Sequence, residues 1–215
     1  MEYLFKTLLV LHIAGGATGL LAGTLNIIRK KGDKPHVQVG RFFFYGMLLA
    51  GLTALVMALM HPNHFLFIVG VFTLYMLGTG QRYLSLRQLH KGQQVSGIDW
   101  ALTGTMAVFG ILFGVFGGWQ LLQGNDFGFV FWVFGGVGLR FVWQDWQNYR
   151  RKGIKSNTWI IAHLQRMTGT YIASLTAFLV VNITFLPPVL TWLLPSLLVS
   201  PLITIWSRAQ RRRVA

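Results

Sequence analysis

Apolar residues run along this chain in stretches of bilayer length, broken by short polar turns. Seven stretches stand out, at about 4–28, 38–60, 65–86, 98–123, 127–146, 159–185 and 188–207. A helix needs roughly 20 mainly apolar residues to cross the hydrocarbon core. The pattern predicts an all-α fold, a polytopic membrane helix bundle of seven transmembrane helices forming one domain over residues 1–215.

The polar turns differ in charge. Arg29, Lys30, Lys31, Lys34 and Arg41 surround the first, and Arg82, Arg87 and Lys91 follow helix 3. Arg140, Arg150, Arg151, Lys152 and Lys155 end helix 5 and its loop, and Arg208, Arg211, Arg212 and Arg213 close the chain. The alternate turns, "MHPNH" at 60–64, "QGNDFG" at 123–128 and "FLPPV" at 185–189, carry neither Lys nor Arg. Cytoplasmic loops collect cations, so the N-terminus is expected outside and the C-terminus in the cytoplasm. The first stretch reads as helix 1, since its "MEYLFK" start is barely basic and its apolar run is too long for a cleaved leader.

Composition agrees with this picture. The chain is 53% hydrophobic and 11% charged, against about 25% charged in soluble domains. Its net charge of +14 is read as a cytoplasmic rim facing anionic lipid headgroups of the bilayer. Nucleic acid is not an expected partner, because no soluble module is left to bind it. The absence of cysteine excludes disulfides and thiolate metal sites.

Small residues are placed for helix packing. Gly16, Gly19 and Gly23 are expected on the His12 face of helix 1, and Gly110, Gly114 and Gly118 form overlapping GxxxG patterns in helix 4. Such surfaces let backbones approach and suit a homo-oligomer. The eight tryptophans fit interfacial belts. Pro195 and Pro201 fall inside helix 7, where each removes a backbone donor.

Candidate chemistry lies in the few polar residues of the apolar layer. His12 sits roughly 12 Å below the outer end of helix 1, and His163 roughly 6 Å inside the cytoplasmic end of helix 6. His36 lies at the inner mouth of helix 2, with Gly40 and Arg41 one turn on. An intramembrane ionisable group is a functional-site candidate by default, yet each imidazole could equally hold a neighbouring helix in place. Asp99 suits the N-terminus of helix 4 as a cap. Asp145 ends helix 5, where the dipole disfavours an anion. It therefore calls for a cation, with Arg140, Arg166 or Arg82 as candidates. Arg41, Arg82, Asp99, Arg140, Asp145 and Arg166 form the candidate charge network.

The stretches "LHIAGGATGLLAG", "HVQVGRFFFYGMLLAG", "GTGQRYL", "DWALT" and "HLQRMTGTYIASLTAFLVVN" with "WLLP" resemble a bacterial multi-pass membrane family catalogued as a domain of unknown function. The resemblance covers nearly the whole chain. It implies a shared seven-helix fold, and that His12, His36, Gly40, Arg41, Arg82, Asp99, His163, Arg166 and Asn182 match the family's polar positions. It implies no activity. The bacterial cytoplasmic (inner) membrane is the expected location.

Three function classes stay open. The first is a histidine-ligated haem b or transition-metal site within the bundle, serving electron transfer, with His12, His36 and His163 as candidate ligands. Depth favours pairing His36 with His163, because His12 and His163 differ by roughly 12 Å. The second is a proton-coupled transporter or carrier, for which intramembrane His, Asp and Arg are the usual parts. The third is a non-catalytic structural or accessory protein. No nucleophile–base pair or HExxH motif marks an enzyme, and helix 7 lacks the lysine of a retinal Schiff base.

Overall fold

The computed structural model describes residues 1–150 and 154–212. Arg151, Lys152 and Arg213, which the charge pattern invokes, lie outside the described residues. Among those described, the chain forms seven α-helices: α1 Glu2–Ile28, α2 Lys34–Met60, α3 His64–Tyr83, α4 Gly97–Leu122, α5 Gly128–Tyr149, α6 Thr158–Asn182 and α7 Pro188–Arg212. A single 3-10 turn, Leu89–Lys91, interrupts the α3–α4 connection.

The ends move from their expected places for local reasons. Helix α2 starts at Lys34, because the Asp33 side chain accepts from His36 N at 2.8 Å and Pro35 occupies the first turn. Helix α3 stops at Tyr83, where Leu84, Ser85 and Leu86 turn back with i→i−3 bonds. Helix α6 ends at Asn182, before Pro187 and Pro188, and α7 continues past 207 to Arg212 with Pro195 and Pro201 inside it.

Among the described residues five helices are long and apolar enough to cross a membrane: α1, α2, α3, α4 and α7 from Leu190. Their outward faces fit that setting. Val10, Ile13, Leu21 and Leu25 on α1, and Val108, Ile111, Leu112 and Val115 on α4, are all exposed. Apolar faces of this extent are an aggregation liability in water, whereas acyl chains solvate them. The architecture therefore supports a membrane protein.

The chain divides into two compact units. The first comprises Met1–Leu77 and Gly169–Leu198, the second Gly78–Thr168 and the chain from Val199. In the first unit α1 and α2 meet almost backbone to backbone. A Cβ on Gly15 would lie 2.9 Å from Gly46 O, and one on Gly46 would lie 2.7 Å from Gly15 O. Met47 fills the space beside Gly19, and Phe43 and Tyr171 fill that beside Gly23. Gly15, Gly19 and Gly23 form this contact, whereas Gly16 faces open space.

In the second unit α4 packs on α5 through Met106, Gly110, Phe113 and Gly117, set against Gly128, Gly135 and Gly138. The expected Gly110–Gly114–Gly118 ridge is not the contact, since a Cβ on Gly114 would meet nothing within 4 Å and one on Gly118 only Trp132 at 3.8 Å. Steps of four residues drift about 40° each around a 3.6-residue helix, while alternating steps of four and three stay on one face. Below this contact Tyr83, Leu86, Leu89, Tyr149 and Ala162 form a core, with Val95, Ile154 and Trp159 packed on it. That core joins the end of α3, the start of α4, the end of α5 and the start of α6, where most of the polar side chains of this unit gather.

Candidate functional site

The site begins with one glycine. A Cβ on Gly80 would lie 2.9 Å from the Cβ of Arg166, so α6 can lie this close to α3 only because the position is glycine. Arg166 thereby enters the second unit with no exposure. Its Nη2 donates to Asp145 Oδ1 at 2.6 Å and to Phe141 O at 3.1 Å, and its guanidinium lies over the Phe141 ring at 3.9 Å. Asp145 is equally buried. Arg166 is thus the cation that the end of α5 requires.

Uncharged groups complete the carboxylate's shell. Tyr83 OH donates to Asp145 Oδ1 at 2.7 Å and accepts from Asn148 Nδ2 at 2.9 Å, which orients the phenol proton. Thr103 Oγ1 approaches Asp145 Oδ2 at 3.4 Å. Helices α3, α4, α5 and α6 therefore all contribute to one buried polar knot.

Taking two such charges out of water costs of order 20 kcal/mol each by idealised Born reasoning, and several kcal/mol each after relaxation. The charge-assisted bonds offset this, but an apolar pair of the same volume would stabilise the fold about as well. Stability alone does not call for an ion pair here.

A second pair lies on the same unit. Arg82 Nε donates to Asp99 Oδ1 at 2.7 Å and its Nη2 to Oδ2 at 3.0 Å. Ser96 N and Oγ both donate to Asp99 Oδ2 at 2.8 Å, closing a capping box at the start of α4. Asp99 is fully buried while Arg82 keeps 29% of its side chain exposed. Arg82 therefore belongs to Asp99 and not to Asp145. Arg41 and Arg140 are exposed, and among the described residues neither joins an ion pair.

The histidines are divided between the two units, His163 in the second and His12 and His36 in the first. His163 Nδ1 donates to Gly80 O at 2.8 Å. Gly80 lies in the last turn of α3, where carbonyls run out of helical partners, and Leu84 N bonds Gln81 O instead. His163 thus caps α3 from α6. In the first unit His12 Nδ1 donates to Ala50 O at 2.9 Å, with Thr53 Oγ1 at 3.3 Å. A carbonyl only accepts, so in both neutral rings Nδ1 carries the proton and Nε2 the lone pair.

His36 sits where Asn26 Nδ2 donates to its carbonyl at 3.2 Å, and both His36 Nδ1 and Asn26 Oδ1 are buried without a partner. His36 and Ala50 are fourteen positions apart on α2, about 21 Å of helix rise, so His12 and His36 cannot share one ion. Among the described residues no three of His, Asp and Glu gather as metal ligands. In the adjoining turn, partial burial holds the Lys31 ammonium below its ordinary pKa, while Nζ donates to Ile27 O at 2.5 Å.

Tyr83, Ser96, Thr103, Asn148 and Tyr149 escape a reading confined to charged residues and histidines. One signal was open to it, since Ser96 three positions before Asp99 is a capping-box spacing. Comparison of the chain with protein-family models, with curated proteins and with solved structures found no match in any of the three.

Proposed function

We propose that this protein is a proton-translocating carrier of the bacterial cytoplasmic membrane, with the Asp145–Arg166 pair as its proton-accepting centre. The observation that carries the reading is a carboxylate and a guanidinium, both without exposure, joined at 2.6 Å inside a helical unit. Ionisable groups at such positions are costly and are the usual parts of proton relays. Protonation of Asp145 neutralises it and strips Arg166 of its counter-charge, which gives the four helices two alternative arrangements.

In this reading all seven helices cross the bilayer, with the N-terminus outside and the cationic turns in the cytoplasm. Helices α5 and α6, with 22 and 25 residues, rise about 33 Å and about 37 Å, enough for a core of about 30 Å. Both carry ionisable residues along that length, Arg140 and Asp145 in α5 and His163 and Arg166 in α6. The headgroups of anionic lipids are the partners of the cationic rim, and the glycine-bearing α4 surface suits a homo-oligomer.

The test is proton flux into proteoliposomes that hold a pH-sensitive dye, driven by a potassium diffusion potential with valinomycin. Flux above protein-free vesicles is expected. It should be lost in Asp145→Asn and kept in Arg140→Gln. Wild-type protein that matches protein-free vesicles overturns the reading.

A second reading has an observation of its own. The Ala50 carbonyl fixes His12 Nδ1–H and leaves Nε2 as the lone-pair nitrogen, the arrangement of an imidazole that ligates haem or a transition metal. Electron transfer is the activity that such a group supplies. Protein purified from haem-replete cells would then show a Soret band that His12→Ala abolishes. A colourless, metal-free preparation rules this reading out and leaves His12 as a packing residue.

A further inference from the structure

Tyr149 is used by neither ion pair. Its side chain is 6% exposed, yet its hydroxyl makes no hydrogen bond of normal geometry. Leaving such a group unsatisfied is costly, and phenylalanine would avoid the cost with the same ring. The ring itself is well held, edge-on to Trp100 at 5.2 Å and 6.3 Å from Tyr83. The polar groups that act on the hydroxyl are the Asp145 and Asp99 carboxylates, Thr103 and the Arg166 guanidinium.

The order along the helices explains this position. Asp99 and Thr103 are one turn apart on α4, and Asp145 and Tyr149 are one turn apart on α5. The Thr103 and Tyr149 hydroxyls therefore each sit one helical turn from a carboxylate, Thr103 from Asp99 and Tyr149 from Asp145. Thr103 already reaches Asp145 Oδ2 at 3.4 Å. At the other end Asp99 is bound to an arginine that keeps 29% exposure, so this end is the one nearest solvent. Arg82, Arg166 and Tyr83 are the remaining ionisable groups around the path.

We propose that the Tyr149 and Thr103 hydroxyls pass protons from Asp99 to Asp145, which makes Asp99 the entry to the buried pair. The inference rests on the proton-translocating reading above. A proton bound to Asp99 moves to a hydroxyl oxygen, and that hydroxyl releases its own proton to Asp145 Oδ2. The hydroxyl ends as it began, Asp99 returns to a carboxylate facing Arg82, and Asp145 becomes a neutral acid. One proton has moved and no other reactant is needed.

The test uses the full chain in the same dye-loaded vesicles. Tyr149→Phe keeps the ring and removes only the orphaned oxygen, so its melting temperature should match wild type or rise slightly. Its initial proton flux should fall at least tenfold. Should Tyr149→Phe fold poorly, Thr103→Val against Thr103→Ser decides, with flux lost in the first and kept in the second. Wild-type flux in Tyr149→Phe, or equal flux in the two Thr103 variants, overturns the relay. In that case wild-type flux above that of protein-free vesicles still upholds the carrier. Absence of flux in wild type overturns both.

Discussion

Asp145 Oδ1 receives two donors from two other helices, Arg166 Nη2 at 2.6 Å and Tyr83 OH at 2.7 Å, with neither Asp145 nor Arg166 reaching solvent. Removing one member of such a pair strands the other. Asp145→Asn or Arg166→Met alone should destabilise the protein by about 3–5 kcal/mol. The double variant Asp145→Leu with Arg166→Met should regain most of that loss, because both desolvation costs disappear. Unfolding in mild detergent, read as a double-mutant cycle, measures the coupling.

The two glycine surfaces should respond in opposite ways. Gly46→Val places its Cβ against the α1 backbone, 2.7 Å from Gly15 O, and overpacking of that kind costs about 1–3 kcal/mol. Gly114→Ala meets nothing within 4 Å and should stay within about 0.5 kcal/mol of wild type. Melting temperatures of the two purified variants give the comparison.

Each histidine bonded to a backbone carbonyl should contribute at least that hydrogen bond. His12→Ala and His163→Ala should each cost about 0.5–1.5 kcal/mol plus the small cavity left behind. As residues of separate units, one bonded to Ala50 and the other to Gly80, they should combine additively in the double variant. A coupling above about 0.5 kcal/mol in thermal unfolding would contradict this separation.

The Asp99 cap should matter more than its exposed partner. Asp99→Ala removes the acceptor for Ser96 N, Ser96 Oγ and Arg82 together, and should cost about 1–2 kcal/mol for the cap alone. Arg82→Gln, at a part-exposed position, should cost less than about 1 kcal/mol, and the difference should shrink as salt rises. Denaturation at low and high ionic strength separates the two.

The chain contains no cysteine, so single cysteines report topology cleanly. Asn125→Cys and Thr184→Cys should label with a membrane-impermeant maleimide on intact cells. Lys30→Cys and Lys155→Cys should label only after permeabilisation. Outside labelling at Lys155→Cys would remove α5 and α6 from the set of crossing helices.

Much of this arrangement is legible in the chain. The helices follow from apolar run length, and the need of Asp145 for a cation follows from its place at a helix C-terminus. Which arginine answers that need is not legible, since it depends on the rotation of α5 and α6 about their own axes. The same limit exchanges Gly16 for Gly15: adjacent positions differ by about 100° around a helix, and only the partner helix decides which of them is buried. Tyr83, Asn148 and Thr103 resemble ordinary boundary and core residues until a carboxylate is placed beside them. Arg82 stands apart from the buried pair because the capping box of Ser96 and Asp99, three positions apart, draws it to Asp99.

The cap that His163 places on Gly80 O also limits how the chain loosens. A helix end usually frays one residue at a time, at little cost to the rest of the molecule. Here the last turn of α3 borrows a donor from another helix, so melting of the 84–96 connection should halt at residue 80. Amide exchange ought therefore to be rapid through that connection and to slow abruptly on entering α3, with the step erased once the imidazole is gone.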